Sequence, residues 1–256
     1  SGTGGGFERF CKDETDFQNS SRKIKYDEAK ICADAGIEYL EFEVAYDGLT
    51  VVINENNDFV HCLNLEALKL LWQKENPAMT WADLNPEWPA ETINLYGPGT
   101  DSGTFDYFVE TILGKDGEIR EDFTPSEDDN VLVEGVANDE NALAYFGHAY
   151  YEENQDTLNA VAIDGGKGCI EPTADSVRDG SYAPLSRPLF VYVKKSSLER
   201  PEVQEFVKFY LENAKEMAPE VGFVASPDES YAADMTELET ALGGGSDAAA
   251  AATPSS

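Results

Sequence analysis

Residues 96–113 read YGPGTDSGTFDYFVETIL. A short apolar strand with Ile93 and Leu95 precedes a turn rich in glycine, and a segment with helical apolar spacing follows it. Ser102 and Thr104 therefore stand at a predicted helix start, where free backbone N–H groups and the positive end of the helix dipole favour an anion. Serine and threonine are also ordinary helix N-caps. The stretch predicts a strand, a turn and a helix, and leaves anion binding and simple capping as alternatives.

Charge and composition limit the classes of protein that the chain can belong to. Its 256 residues include 50 acidic and 18 basic ones, for a net charge of −32, and 41% are hydrophobic. This apolar fraction is enough for one large or two modest α/β domains. Because the acidic excess repels nucleic acid and anionic membranes, we expect neither as a partner. The sequence contains no run of 18 apolar residues, so no membrane-spanning segment is predicted.

Cysteine and histidine content argues against a metal centre. Four cysteines allow three pairings, and none of their spacings is typical of zinc. The only two histidines are His61 and His148, and the acidic run 126–130 lacks the EF-hand spacing, so no metal or cofactor is predicted. Two disulfides in an exported protein fit better than four thiols. The predicted pairs are Cys11–Cys32 and Cys62–Cys169.

Strand-like and helical patterns alternate along the chain, which favours an α/β fold with largely parallel sheets. Residues 38–54 read as two strands around Asp47–Gly48, a pair typical of a β-hairpin. Residues 188–193 read as a buried strand, and Pro201 opens a helix. The last segment, GGGSDAAAAATPSS, is of low complexity and is expected to be disordered.

Two further stretches carry small residues and hydroxyls. The opening SGTGGGF places them ahead of a helical pattern, with a flexible glycine-rich terminus as the alternative. Residues 15–24, TDFQNSSRKI, place Ser20, Ser21 and Arg22 in a short polar loop. Because the chain opens inside such a stretch and without an initiator methionine, we interpret it as processed or fragmentary. The missing leader sequence therefore says nothing about the compartment in which the protein works.

Taken together, these motifs resemble one family, the phosphate-binding component of the bacterial and archaeal phosphate ABC transporter. The resemblance is carried, in the family's order and from residue 1 to about 224, by SGTGGGF, TDFQNSSRKI, AYDGLTVVIN, YGPGTDSGTFDYF, SEDDNVLVEGV, YFGHAYY and PLSRPLFVYV. It implies a two-lobed periplasmic-binding-protein fold of type II without the family's first strand. Crossover strands are expected near 46–52 and 186–191, which puts Asp47–Gly48 at a hinge instead of in a hairpin. Lobe I would hold 1–47 and 190–256, with a disordered tail from about 243, and lobe II would hold 48–189.

The resemblance also implies a site in which phosphate, stripped of water, is held by N–H groups, hydroxyls, an arginine and an acidic acceptor. Some members have an arginine at the place of Pro98 and an aspartate at the place of Ser21. Here the guanidinium would therefore come from Arg22 and the carboxylate from Asp47, with Asp101 as a second candidate. That carboxylate accepts a proton that phosphate keeps and sulfate lacks. The expected ligand-binding residues are Ser1, Thr3, Gly4, Ser21, Arg22, Asp47, Ser102, Gly103 and Thr104.

The function predicted on this basis is capture of inorganic phosphate in an interlobe cleft and delivery to a membrane ABC permease. The chain would act as a monomer without catalytic residues. It would work in the periplasm or on the cell surface, with a lipid anchor in the full-length precursor as an option. The alternatives are a phosphate-ester hydrolase and an oxyanion sensor on the same fold. The hydrolase lacks support because no Walker-type or HExxH motif is present.

Overall fold

The structure is a computed structural model, and it describes residues 2–243. The chain forms two compact units. The first holds Ser1–Tyr46, Pro188–Val221 and Ala225–Ser256, and the second holds Asp47–Arg187 and Gly222–Val224. The predicted disorder of the C-terminal tail concerns residues that, from 244 onward, lie outside the described part.

The first unit combines long helices with strands that the second unit continues. Its elements are α1 (Gly2–Phe10), β1 (Phe17–Ser20), α2 (Tyr26–Asp34), the first part of β2 (Tyr39–Asn54), the second part of β10 (Ser186–Lys194), a 3₁₀ helix (Lys195–Glu199), α9 (Pro201–Glu220) and α10 (Asp228–Ala241). Strand β1 pairs antiparallel with β10, from Phe17 opposite Val193 to Ser20 opposite Phe190. The core packs apolar residues of β2 against α9, whose buried positions include Val203, Val207 and Leu211.

The second unit contains two sheets. Its remaining elements are β3 (Cys62–Asn64), α3 (Leu65–Trp72), α4 (Trp81–Leu84), β4 (Asn94–Pro98), α5 (Gly103–Phe108) with a π-helical turn (Val109–Leu113), β5 (Thr124–Ser126), α6 (Asp129–Ala137), β6 (Ala142–Gly147), α7 (His148–Glu153), β7 (Leu158–Ala160), β8 (Ala162–Asp164), β9 (Cys169–Ile170) and α8 (Ala174–Arg178); β11 (Val224–Ala225) begins in it. Strands β6–β4–β5 are parallel, whereas β6 and β7 run antiparallel to β2. In the small sheet, β8 is parallel to β3 and antiparallel to β9. The sheets are therefore mixed, and the prediction of largely parallel sheets is wrong.

The predicted hairpin at Asp47–Gly48 is also wrong, because β2 runs without a break through these residues for 16 positions. Gly48 is needed for close packing and not for a turn. A Cβ atom there would lie only 2.8 Å from Cγ2 of Val177 on α8. Asp47 is itself buried and forms an ion pair that is described below. Strands β2 and β10 both continue from one unit into the other.

The glycine-rich opening forms helix α1, whereas the sequence suggested a loop or a flexible terminus there. Helix α1 tolerates its glycines because Phe7 and Phe10 are fully buried and anchor it. A Cβ atom on Gly6 would overlap the Gln18 side chain, so a glycine lets α1 approach β1 closely.

Both predicted disulfides are confirmed, Cys11–Cys32 in the first unit and Cys62–Cys169 in the second. Cys11 follows α1 directly and Cys32 lies on α2, so this bond joins the two helices. Within residues 2–243, no helix combines the length and apolar character that crossing a membrane requires.

Candidate functional site

In the first unit, four of the predicted ligand-binding residues lie together, and we call Thr3, Gly4, Ser21 and Arg22 the first-unit cluster. The hydroxyls of Thr3 and Ser21 are 3.2 Å apart, and the Ser21 N–H donates to Thr3 Oγ1 at 3.2 Å. A Cβ atom on Gly4 would sit 3.9 Å from Nη2 of Arg22. Ser1, the remaining residue predicted for this region, lies outside the described residues. Helix α1 and the loop after β1 thus bring together two hydroxyls, the backbone of Gly4 and a guanidinium.

Arg22 is held in a fixed orientation by a carboxylate. Its Nη1 and Nη2 donate to the two carboxylate oxygens of Glu28 at 2.8 and 2.7 Å, and Nη1 also donates to the Lys23 carbonyl at 3.0 Å. The hydrogen bond from Arg22 lowers the pKa of the Glu28 carboxyl below its usual value. A guanidinium has five N–H donors in a rigid fork, so an anion would have to share it with Glu28.

In the second unit, Ser102, Gly103 and Thr104 open helix α5, and we call them the second-unit cluster. The Ser102 hydroxyl oxygen accepts the Thr104 N–H at 3.2 Å, which makes Ser102 the N-cap. Its own O–H proton is not used in this bond. The N–H groups of Gly103 and Phe105 have no acceptor within the described chain. Capping and a supply of donors for an anion therefore coexist at this helix start.

The side chain of Asp101, the second candidate acceptor, is exposed. Its N–H donates to Oε1 of Glu127 at 3.4 Å. Burial therefore distinguishes the two candidate carboxylates, because Asp47 is only 6% exposed.

Asp47 forms an ion pair with Arg187, a residue that the sequence reasoning missed. Nε of Arg187 donates to Oδ2 of Asp47 at 2.9 Å, and Nη2 lies 2.8 Å from the same oxygen. Burial raises the pKa of the Asp47 carboxyl, and the neighbouring guanidinium offsets part of this effect. The second carboxylate oxygen, Oδ1, accepts no hydrogen bond from residues 2–243.

Arg187 also connects this pair to the second-unit cluster. Its guanidinium carbon lies 3.6 Å from the ring centre of Tyr107, which stands on α5 three residues after Thr104. The Tyr107 hydroxyl donates to the Pro184 carbonyl at 2.8 Å. Two signals pointed to Arg187 in the sequence: it lies inside the quoted motif PLSRPLFVYV, and a buried Asp47 needs a cationic partner.

Comparison with known proteins agrees with the architecture. Residues 1–214 match the model of the PBP superfamily domain. The chain is 46% identical to the protein SphX of Synechocystis over 234 residues, 90% of this chain and 70% of that protein. It is 43% identical to the phosphate-binding protein PstS of Staphylococcus saprophyticus over 246 residues, 95% of this chain and 75% of that protein. The chain belongs to the PstS family of the PBP superfamily.

Two solved structures share the fold of this chain. A possible phosphate-binding protein from Planctomyces limnophilus superposes with a TM-score of 0.89 at 45% identity, over 94% of this chain and 86% of that one. An ABC-type phosphate transport receptor from Vibrio cholerae has a TM-score of 0.62 at 21% identity, over 87% and 85% of the two chains, and this likeness concerns the fold alone. The predicted family and the two-lobed α/β fold class are confirmed. The PstS relatives are named as binding proteins.

Proposed function

We propose that the chain captures inorganic phosphate outside the cytoplasmic membrane and delivers it to the permease of an ABC transporter. The observation that carries the proposal is the pair of clusters, one in each unit, built from hydroxyls and backbone N–H groups with Arg22 in the first. Relatives with 38–43% identity are named as phosphate-binding proteins. Two formed disulfides support an oxidising compartment.

The two clusters together supply the donors that a dehydrated anion requires. A buried charge must receive several hydrogen bonds, because an unpaired one is very costly. The first-unit cluster offers the Arg22 fork and the hydroxyls of Thr3 and Ser21. The second-unit cluster offers the Ser102 hydroxyl, the Thr104 hydroxyl and the N–H of Gly103. Arg22 contributes the charge-assisted, planar contact that suits phosphate oxygens.

Binding would be coupled to lobe closure. A ligand favours a closed state only if it contacts both lobes in that state, so we assign one phosphate to both clusters. In this proposal lobe I comprises 1–47 and 190–256, lobe II comprises 48–189, and the hinge lies where β2 and β10 continue from one unit into the other. The chain would act as a monomer and hand its ligand to the permease. From the family resemblance we also include a lipid anchor on the full-length precursor as an option.

Asp47 would set the selectivity between phosphate and sulfate. No donor of residues 2–243 bonds its Oδ1, while Oδ2 is held by Arg187. A carboxylate oxygen placed in this way accepts the proton of hydrogen phosphate and repels the fully ionised sulfate.

Parallel calorimetric titrations with phosphate, arsenate and sulfate test the proposal, and they also separate a phosphate carrier from a sensor of another oxyanion. We expect a 1:1 complex with phosphate and much weaker binding of sulfate. A phosphate-release assay with a generic ester distinguishes the binding protein from a hydrolase. Absence of phosphate binding, or turnover of the ester, would refute the proposal.

A further inference from the structure

Arg187 has hydrogen-bond donors that no part of the described chain uses. A guanidinium carries five N–H groups in one plane. Nε of Arg187 donates to Oδ2 of Asp47, and Nη2 lies 2.8 Å from the same oxygen, whereas Nη1 donates to no acceptor within residues 2–243. The side chain is 26% exposed, so an ion can reach it. The ion pair therefore fixes one edge of the guanidinium and leaves its Nη1 end available.

Arg22, the arginine of the first-unit cluster, is more heavily engaged by the protein. Its Nη1 donates to one carboxylate oxygen of Glu28 and to the Lys23 carbonyl, and its Nη2 donates to the other Glu28 oxygen. An anion at Arg22 would therefore compete with the Glu28 carboxylate. A guanidinium with an unused end forms the charge-assisted bond to phosphate without that competition.

Tyr107 places the Arg187 guanidinium beside the second-unit cluster. A long side chain in a helix points back toward the helix N-terminus and covers the residues three and four positions before it. For Tyr107 these are Thr104 and Gly103, and the guanidinium carbon of Arg187 lies 3.6 Å from the centre of its ring. A Cβ atom on Gly103 would meet no atom of another part of the chain within 4 Å, so the space in front of this backbone is open.

We propose that Arg187 is itself a ligand of the phosphate, through the N–H groups of Nη1, and that Asp47 and Tyr107 hold it in position. This inference rests on the proposed function, because it adds a residue to the same anion site. Oδ2 of Asp47 holds the Nε edge of the guanidinium and the Tyr107 ring covers one of its faces, so the Nη1 end has a fixed direction. A donor that is already held in place loses little conformational freedom when it binds an ion. The phosphate then contacts one arginine from each unit.

The conservative variant Arg187→Lys tests the assignment, because lysine keeps the positive charge for Asp47 but lacks the planar fork. In a calorimetric titration at neutral pH it should bind phosphate at least tenfold more weakly than the wild type. The matched control is Arg178→Lys on α8 of the same unit, since the Arg178 side chain is 31% exposed and also pairs with an aspartate, Asp175, at 2.9 Å. This control should bind phosphate as the wild type does.

A second comparison removes the charge of Arg187 without leaving its partner unpaired. The double variant Asp47→Asn/Arg187→Gln should bind phosphate at least tenfold more weakly than Asp47→Asn alone, which retains the guanidinium. A thermal unfolding curve for each variant verifies that the chain is folded.

The outcomes separate this inference from the proposed function. A smaller loss in either comparison, or an equal loss in Arg178→Lys, would overturn the role of Arg187 and leave phosphate binding by the wild type in place. Absence of phosphate binding by the wild type would refute the proposed function and this inference together.

Discussion

Arg187 and Asp47 form an ion pair in the second unit, in which Nε of the arginine donates to Oδ2 of the carboxylate at 2.9 Å and Nη2 lies 2.8 Å from the same oxygen. Asp47 is 6% exposed, and no other cation is paired with it among the described residues. Because Arg187 also covers the ring of Tyr107 on α5, the pair connects strand β2 to the helix that begins with the second-unit cluster.

Removal of one partner of this pair should destabilise the fold. Arg187→Ala leaves the Asp47 carboxylate buried and unpaired, so we expect a loss of about 3 kcal/mol in the free energy of unfolding at pH 7. The double variant Asp47→Asn/Arg187→Ala should recover part of that loss, because the charge is then gone as well. Denaturant unfolding measures both. Arg9→Ala, which breaks an exposed pair with Glu14, is the control, and an equal loss there would contradict the assignment.

Asp47 should also control discrimination between oxyanions. In Asp47→Asn the repulsion of sulfate is weaker, so the ratio of phosphate to sulfate affinity should fall by roughly tenfold, the worth of about one hydrogen bond. Competitive titration measures the ratio. Asp101→Asn, at the exposed candidate, should leave the ratio unchanged. If Asp101→Asn lowers it and Asp47→Asn does not, the acceptor is Asp101.

The two disulfides should differ in their contribution to stability. They close loops with sequence separations of 107 residues for Cys62–Cys169 and 21 for Cys11–Cys32. By the chain-entropy estimate, replacing the pair Cys62/Cys169 with serine costs about 5 kcal/mol, and replacing Cys11/Cys32 costs about 3 kcal/mol. Unfolding of the two double-serine variants under identical conditions checks the order. The reverse order would mean that loop length does not dominate.

Asp234 on α10 should make the first unit less stable as pH rises. Burial and the neighbouring carboxylates of Glu237, Glu43 and Glu41 raise its pKa to about 7. Since this value is above that of the unfolded chain, the native state binds more protons between about pH 4 and pH 7, and the contribution of the group to stability falls through that window.

The variant Asp234→Asn should therefore be more stable than the wild type at pH 8 and nearly equal to it at pH 4. The side chain is only partly buried, so solvent screening limits the expected gain at pH 8 to about 1 kcal/mol. Thermal unfolding at both pH values measures the difference. Glu229→Gln, which neutralises an exposed residue of the same helix, is the matched control. A gain at pH 4 as large as that at pH 8 would refute the electrostatic cause.

Local signals in the sequence predicted many of the elements. Pro201 begins α9, and the Asn64 side chain caps α3 by accepting the Ala67 N–H at 2.8 Å. Residues 142–151 form a strand that passes into a helix at Gly147, as their pattern indicates. These features depend on capping chemistry and periodicity, which act over a few residues.

The errors arose where distant residues decide the structure. Asp47–Gly48 has the sequence of a turn, but the ion pair with Arg187 and the contact with Val177 keep it inside a strand. The glycines of α1 are poor helix formers, and burial of Phe7 and Phe10 overrides that preference. Of the site, the first-unit cluster followed from family resemblance, whereas Arg187 could not be paired with Asp47 before a fold brought together residues 140 positions apart.

The most direct test of the account is a calorimetric titration with phosphate of the wild type, Arg22→Ala and Ser102→Ala, with Arg9→Ala as the control. One phosphate per chain should bind the wild type. Arg22→Ala should weaken that event by about 1.5–3 kcal/mol, and Ser102→Ala by about 1 kcal/mol, because residues of both units hold the same ion. Wild-type affinity in either variant would contradict the claim that one phosphate is shared by the two clusters.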